Sequence, residues 1–275
     1  MSPQSPSVPL LLDVRQLKVH LHVGALTIRA VDGVDLAVRD GECVGIVGES
    51  GSGKSTLARA VTRLMPNVSM AQVSGAVQFA GQDVLALKDR ELRAIRRGRG
   101  FAMIFQDPLG YLNPTQRIGR QISEALSRDA SGGSDGARIH ALLDEVGLPD
   151  PKNLARRYPH ELSGGMRQRV MIAIALASDP RLLFADEPTT ALDATVQLQV
   201  LQTLYRLHRQ RNMAMVIITH DLGVVAEMCD RVYVMRTGQV VETADTCDLF
   251  EKPRHAYSAQ LIELSLHRFH RDQRP

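Results

Sequence analysis

"GESGSGKST", residues Gly48 to Thr56, is the stretch that decides the fold. It matches the phosphate-loop pattern G-x-x-x-x-G-K-[ST]. An apolar run, Cys43–Val47, precedes it, and the helical pattern "TLARAVTRL" begins at its last residue. Glycines let successive backbone N–H groups turn inward around an anion. The stretch therefore predicts a strand, a phosphate-binding loop and a helix in succession.

The loop assigns chemistry to its residues. Lys54 would reach the β- and γ-phosphates of a nucleotide, and Ser55 would hold Mg²⁺. The other candidate phosphate contacts belong to the same loop: Gly48, Glu49, Ser50, Gly51, Ser52, Gly53 and Thr56. A chance Gly/Ser-rich loop is the alternative, and the flanking strand and helix argue against it.

Short apolar runs alternate with longer helical patterns along the chain. The predicted strands are Leu10–Val14, Cys43–Val47, Phe101–Phe105, Leu182–Ala185, Met215–Thr219 and Val232–Met235. Nearly continuous apolar runs are typical of strands buried on both faces of a mostly parallel sheet. Helical patterns such as Ala194–Arg211 and Leu222–Cys229 lie between them. The alternation predicts an α/β fold.

The stretch from about Asp107 to Leu162 has helical patterns and no convincing strand, and "SRDASGGSDGA" interrupts it as an exposed loop. We interpret residues 107–178 as a helical subdomain inserted in the α/β core. Residues 1–9 are rich in Pro and Ser and are predicted to be disordered. Residues 10–265 would form the main domain, and 266–275 a C-terminal tail. The basic run Asp89–Gly100 is interpreted as a solvated helix end and loop.

Composition sets limits on function. The net charge of +3 over 275 residues does not indicate nucleic acid as a partner. The longest apolar run, Val170–Ala177, has eight residues, and the N-terminus lacks the pattern of a signal peptide. We therefore expect no membrane span, so any work at a membrane would depend on other chains. The three cysteines are far apart, which argues against a disulfide framework or a metal site of closely spaced cysteines.

Three predicted strands end in polar residues that suit nucleotide hydrolysis. In "RLLFADEP" the apolar run leads to Asp186, which can bind Mg²⁺, and Glu187, which can polarise a water. In "VIITHD" the apolar run leads to His220, which could hydrogen-bond a γ-phosphate. In "MIFQDP" it leads to Gln106, which can contact Mg²⁺ or water. Alone, each could be an ordinary polar residue at a strand end. Together with the phosphate loop they form a consistent set.

A second candidate anion site follows in "YPHELSGGMRQRV", residues Tyr158 to Val170. Ser163, Gly164 and Gly165 open a helical pattern, and backbone N–H groups at a helix start bind anions. Simple N-capping by Ser163 is the alternative. Two glycines at a helix start are poor for helix stability, so capping does not explain them.

Together these residues resemble the ATP-binding subunit of an ABC transporter, over about residues 10–265. The motifs are the phosphate loop, the Q-loop residue Gln106, the signature "LSGGMRQR", the acidic strand end, the D-loop "ALD" (Ala191–Asp193) and the H-loop residue His220. "FQDPLGYLNPTQRIGRQI" and "ADEPTTALDATVQ" are similar to the importers of the oligopeptide, dipeptide and nickel group. The resemblance implies a P-loop NTPase core with a mostly parallel sheet, an N-terminal antiparallel β part and the helical subdomain.

The resemblance also implies a mechanism and partners. Two ATPase subunits would meet head to tail with two ATP and Mg²⁺, and Ser163, Gly164 and Gly165 of each would face the other's γ-phosphate. Asp193 would cross the interface, Glu187 would be the general base, and His220 and Gln106 would contact the reacting phosphate and its Mg²⁺. The partners would be a second, different ATPase subunit, two permease subunits and an extracytoplasmic solute-binding protein. The chain would lie at the cytoplasmic face of the inner membrane as a peripheral subunit.

Several alternatives stay open on the sequence. The importer could carry nickel or a metal chelate instead of peptides. A soluble ABC-type ATPase that acts on DNA or ribosomes is a different class, although no long coiled coil, zinc cysteines or second ATPase unit supports it. A non-hydrolysing regulatory module is disfavoured by intact Lys54, Asp186, Glu187 and His220. Only His20 and His22 stand where many ABC ATPases place an aromatic residue against adenine.

Overall fold

The computed structural model describes residues 9–24, 26–65, 71–126, 135–190 and 192–272, without the side chains of residues 23, 109 and 266–272. The helices are α1 (Lys54–Val61), α2 (Asp89–Arg97), α3 (Pro108–Tyr111), α4 (Ile118–Ala125), α5 (Asp135–Glu145), α6 (Pro151–Leu154), α7 (Gly164–Leu176), α8 (Ala194–Arg211), α9 (Leu222–Met228), α10 (Thr246–Glu251) and α11 (Ala256–Asp272). The strands are β1 (Leu10–Val23), β2 (Leu26–Arg39), β3 (Cys43–Val47), β4 (Ala71–Phe79), β5 (Gln82–Asp83), β6 (Phe101–Ile104), β7 (Leu182–Asp186), β8 (Ala214–Ile218), β9 (Arg231–Arg236) and β10 (Gln239–Asp245). The disorder predicted for residues 1–9 and most of the loop predicted at 127–137 fall outside the described ranges.

The described residues form two compact units. The first comprises the chain up to Leu87 and again from Thr219 onward, and the second is Lys88–Ile218. The domain boundaries predicted from the sequence, 10–265 with an inserted segment at 107–178, remain predictions.

The first unit combines an antiparallel sheet with a mixed one. Strands β2, β1, β4 and β5 pair in that order, all antiparallel. Strand β3 pairs in parallel with β9, which pairs antiparallel with β10. The predicted N-terminal antiparallel part is confirmed, and the loop after β3 leads into α1.

The second unit has a parallel three-stranded arrangement, β8–β7–β6. Between β6 and β7 the described residues form α3 to α7 and a 3₁₀ turn at Pro159–Glu161, with no strand in that part of the chain. The end of α5 is tied to the end of α8, because Arg211 donates from Nη2 and Nε to Glu145 at 2.6 and 2.8 Å. Hydrogen bonding to Glu145 raises the pKa of Arg211 above its ordinary value, although burial acts against it.

Burial explains which strands could be predicted. Every residue of β3, β7 and β8 is buried, and each strand is a continuous apolar run except for Asp186 at the end of β7. Strands β2 and β4 have mixed burial and no such run, and the sequence did not locate them individually. Among the described residues no helix is both long enough and apolar enough to cross a lipid bilayer. All three cysteines are free thiols, so no disulfide framework exists.

Candidate functional site

The glycines of the phosphate loop are required by close contacts with neighbouring backbone. Gly48 and Gly53 have φ angles of 148° and 101°. A Cβ atom on Gly48 would lie 2.1 Å from the carbonyl oxygen of Met235, and one on Gly53 would lie 2.1 Å from that of Ala30. No side chain fits at either position, so the loop Gly48–Gly53 packs directly between β2 and the end of β9 within the first unit.

Lys54 folds back into this loop. Its ammonium donates to the carbonyl oxygens of Gly48 and Glu49 at 2.7 and 2.8 Å, and it lies 3.4 Å from the hydroxyl of Ser52. The side chain of Lys54 is only 5% exposed. The loop therefore fixes a cation against its own backbone, and a glycine-rich loop with a fixed cation is suited to bind a phosphate chain.

Ser55 and Thr56 lie in the first turn of α1, half-buried, immediately after Lys54. Glu49, Ser50 and Gly51 lie on the exposed side of the loop, whereas Ser52 is buried. The structure thus places every predicted phosphate contact of this motif in one loop and one helix start.

His220 belongs to the first unit and is held between two anchored neighbours. The N–H of Thr219 donates to the carbonyl of Ile46 at 3.2 Å, and the N–H of Asp221 donates to the Thr219 hydroxyl at 3.0 Å. Asp221 then caps α9 by accepting from Gly223 N–H at 2.8 Å. The His220 side chain is exposed, and these hydrogen bonds anchor the residues on both sides of it.

In the second unit, the two acidic residues at the end of β7 lie in different environments. Asp186 is the last residue of β7 and is fully buried. Glu187 follows it and is half-buried, with its carboxylate oxygen Oε2 accepting from Gln106 Nε2 at 3.1 Å and from the Thr190 hydroxyl at 2.8 Å. The structure therefore brings together Gln106 and Glu187, two of the three predicted catalytic residues.

The signature and the D-loop lie side by side in the second unit. Ser163 caps α7 by accepting from Met166 N–H at 3.3 Å, and Asp193 caps α8 by accepting from Val196 N–H at 3.0 Å. Ser163, Gly164 and Asp193 are exposed, and Gly165 is half-buried. Ala191 of the predicted D-loop lies outside the described residues.

Within the described ranges, no group of three or more His, Cys, Asp and Glu side chains could hold a metal ion. Mg²⁺ does not require such a group, because it commonly binds through one or two carboxylates together with substrate phosphates and water. A buried carboxylate at Asp186 and a hydroxyl at Ser55 fit that donor set chemically.

The structure also adds contacts that the sequence did not reveal. Thr190 holds Glu187, the Ala30 carbonyl packs against Gly53, and the Tyr257 hydroxyl contacts the phosphate loop. The pattern "DEPTT" does place a hydroxyl three residues after Glu187, so that contact had a local signal. The other two join residues distant in sequence and had none. The two histidines that stand where many relatives place an aromatic residue have other neighbours: His22 lies 3.0 Å from the Thr27 hydroxyl, and His20 lies 3.8 Å from the Asp32 carboxylate.

A glycine loop that encloses a lysine ammonium after a buried strand, and a parallel strand that ends in two acids, define a P-loop nucleoside triphosphatase. The ABC transporter family profile matches residues 31–190. The dipeptide transport ATP-binding protein DppD of Escherichia coli is 48% identical over 256 residues, which cover 92% of this chain and 77% of that protein. A probable peptide ABC transporter ATP-binding protein of Sinorhizobium fredii is 48% identical over 260 residues, which cover 94% of this chain and 77% of that protein.

Solved structures agree with these matches. The ATP-binding cassette MJ0796, in a dimeric post-hydrolysis state bound to ADP and phosphate, has a TM-score of 0.75 at 28% identity, covering 86% of this chain and 98% of that one. The chain belongs to the ATP-binding proteins of the ABC transporter family. The resemblance and the fold class predicted from the sequence are both confirmed.

Proposed function

We propose that the chain is the ATP-hydrolysing subunit of an ABC importer for peptides. The observation that carries the proposal is the Glu187 carboxylate, which follows the buried Asp186 and is oriented by Gln106 and Thr190. An oriented carboxylate next to a buried metal-binding carboxylate suits attack by water on a phosphate. The peptide assignment follows from the relatives, which are named for peptide, oligopeptide and dipeptide transport.

The residues have separate tasks. Lys54 and the N–H groups of the loop Gly48–Gly53 neutralise charge on the β- and γ-phosphates. Ser55, Gln106 and Asp186 are the candidate Mg²⁺ ligands. Bound Mg²⁺ would supply charge neutralisation at the phosphates. Glu187 accepts the proton of the attacking water, and His220 positions the γ-phosphate.

The signature acts on a second subunit's nucleotide. Ser163, Gly164 and Gly165 are exposed or half-buried at the start of α7, where the helix dipole and backbone N–H groups favour an anion. The chain's own phosphate loop already supplies one such site, so the signature serves the partner's γ-phosphate, with Asp193 beside it. ATP then stabilises the closed pair, and hydrolysis removes the bridging charge.

The partners follow from that role. The second ATPase subunit is a different paralogue, two permease subunits provide the path across the membrane, and a solute-binding protein outside the cytoplasm delivers the peptide. The chain is a peripheral subunit at the cytoplasmic face of the inner membrane.

Two measurements test the proposal. The chain purified together with its partner subunits should release phosphate from Mg·ATP, and Lys54→Ala should lose both ATP binding and hydrolysis because the phosphate charge is no longer neutralised. A tagged chain, isolated from membranes of its native host, should recover two multi-span permeases and a second ATPase. Recovery of ribosomes or DNA without permeases would overturn the transport role, and a wild-type chain that binds no ATP would overturn the enzyme role.

A further inference from the structure

Tyr257 brings the C-terminal part of the chain into contact with the phosphate loop. It lies in the first turn of α11 and is 3% exposed. Its hydroxyl oxygen accepts a hydrogen bond from the backbone N–H of Glu49 at 3.0 Å. All of these residues belong to the first unit. This hydrogen bond is partly buried, and a side chain, not another backbone group, supplies the partner of the N–H group.

The peptide bond that Tyr257 holds is the one that also holds Lys54. The N–H of Glu49 and the C=O of Gly48 belong to the same planar trans peptide, so they point in opposite directions. The Gly48 oxygen accepts from the Lys54 ammonium at 2.7 Å. The Tyr257 hydroxyl and the Lys54 ammonium therefore hold the two ends of one rigid plane.

Tyr257 is itself fixed in place. Glu242, on β10, accepts from the backbone N–H groups of Arg254 and His255 at 2.8 and 3.0 Å, which anchors the segment before α11. The N–H of Tyr257 then donates to His255 Nδ1 at 3.1 Å. The Arg236 guanidinium lies over the tyrosine ring, 4.8 Å from its centroid. The ring has contacts on several sides, so its hydroxyl is pre-positioned.

We propose that Tyr257 is a positioning residue for nucleotide binding, which orients the Gly48–Glu49 peptide and through it the Lys54 ammonium. This inference rests on the proposed function of the phosphate loop. Without the hydroxyl, the Glu49 N–H loses its partner and the peptide plane is free to rotate. The Gly48 carbonyl then no longer sets the position of the ammonium. Tyr257 touches no reacting atom, so the effect falls on binding of the phosphates and not on the chemical step.

The test compares two tyrosines that differ in location. Tyr257→Phe removes the hydroxyl and keeps the ring. Tyr233→Phe is the matched control, because Tyr233 is also buried, its hydroxyl accepts from a backbone N–H (Ala37, 3.1 Å), and Arg231 lies over its ring at 5.4 Å. The Tyr233 hydroxyl bonds to Ala37 of β2 and to the Arg231 guanidinium at 3.1 Å, and not to the phosphate loop, so Tyr233→Phe loses at least as much structural contact as Tyr257→Phe.

In the full chain, we expect the dissociation constant for fluorescent mant-ATP to rise roughly three- to tenfold in Tyr257→Phe, the change that loss of one hydrogen bond brings. The KM for ATP should rise in parallel, with kcat at saturating ATP unchanged. Tyr233→Phe should lower the melting temperature at least as much as Tyr257→Phe does and bind mant-ATP as the wild type does.

The inference is overturned if Tyr257→Phe binds mant-ATP with wild-type affinity, or if Tyr233→Phe weakens binding equally. A fall in kcat without a change in KM would also overturn it, because a reacting step would then be affected. A wild-type chain that binds no mant-ATP would overturn the proposed function itself, and this inference with it.

Discussion

A single backbone angle sets the position of the candidate base. Glu187 has a φ of 45°, in the left-handed region that residues other than glycine seldom adopt. Its N–H donates to the carbonyl of Ile218 at 2.9 Å, so the neighbouring strand β8 fixes the turn. The chain reverses at once after Asp186, and the Glu187 carboxylate reaches Gln106 and Thr190. Strain of this kind is concentrated at functional sites.

Replacing this carboxylate should separate hydrolysis from binding. Glu187→Gln keeps the shape and an oxygen that can accept from Thr190, but an amide cannot take a proton from water. We expect ATP hydrolysis to fall by about 10²–10⁴-fold, with mant-ATP affinity within about twofold of the wild type. Phosphate release and mant-ATP fluorescence measure the two quantities.

Glu124→Gln is the matched control for that substitution. Glu124 lies on α4, outside the candidate site, and forms an exposed ion pair with Arg120 at 3.0 Å. It should hydrolyse ATP at the wild-type rate. Wild-type hydrolysis by Glu187→Gln itself would remove Glu187 from the role of base.

At the scale of the element, the first turns of α7 and α8 explain the second glycine of the signature. A Cβ on Gly165 would lie 2.4 Å from Cγ1 of Val196, whereas a Cβ on Gly164 would have an ordinary contact of 3.5 Å with Leu192. Valine is stiff at χ1, so it cannot move aside easily. Packing against Val196 therefore requires glycine at position 165, independent of any phosphate. Packing does not require glycine at position 164.

This difference predicts unequal costs for two adjacent substitutions. Gly165→Ala should destabilise the chain by about 1–3 kcal/mol, because the added methyl forces α7 and α8 apart. Gly164→Ala, the internal control, should change the free energy of unfolding by less than about 0.5 kcal/mol. Urea unfolding followed by circular dichroism measures both. Equal costs at the two positions would contradict the packing explanation.

Glu242 anchors β10 to the segment before α11, and this contact makes the stability of the fold depend on pH. Burial acts to raise the pKa of Glu242. The Ser258 hydroxyl and the backbone N–H groups of Arg254 and His255 together more than offset it, so the pKa lies below its ordinary value of 4.5. A carboxylate with a lowered pKa stabilises the fold above the unfolded-state pKa and ceases to do so as pH falls through the folded-state value.

Glu242→Gln should therefore destabilise the chain by about 1 kcal/mol at pH 7. The difference from the wild type should shrink as the pH is lowered below the ordinary glutamate value. Urea unfolding at pH 7 and at two lower pH values measures it, with the exposed Glu251→Gln as control. If the difference in unfolding free energy between Glu242→Gln and the wild type grew as the pH fell, this explanation would be wrong.

At the scale of the whole molecule, nucleotide binding should appear as added stability. A ligand that binds only the folded state at about 100 times its dissociation constant contributes about 2.7 kcal/mol. For a chain of this size we expect the melting temperature to rise by roughly 5–10 °C with Mg·ATP. The measurement is made on Glu187→Gln so that the nucleotide is not consumed.

Two further substitutions, each made together with Glu187→Gln, identify which anion site causes the rise in melting temperature. Lys54→Ala should abolish the ATP-induced rise, because the chain's own phosphate loop no longer binds. Ser163→Arg should keep it, since the signature serves a partner's nucleotide. Loss of the rise in Ser163→Arg, with an unchanged melting temperature in the absence of ATP, would place the signature at the chain's own nucleotide instead.

The parts of the fold that could be predicted are those whose cause is local. The strand Cys43–Val47 was predicted at its observed bounds, because a strand buried on both faces leaves a continuous apolar run. Helix α8 was likewise predicted at Ala194–Arg211, between an Asp cap and an Asn in left-handed conformation. Strands β2 and β4 were not located, because they bury their residues unevenly and leave no such run.

The sequence by itself determined the phosphate loop, the buried strands and the helix caps, because glycine freedom, apolar periodicity and capping act over a few residues. It also named the polar strand ends that carry the chemistry. Only the tertiary structure decided that Gln106 meets Glu187 across 81 positions and that Tyr257 meets Glu49 across 208. Contacts over such separations depend on which strands become neighbours and on how helices pack beside them. No local pattern in the sequence specifies that outcome.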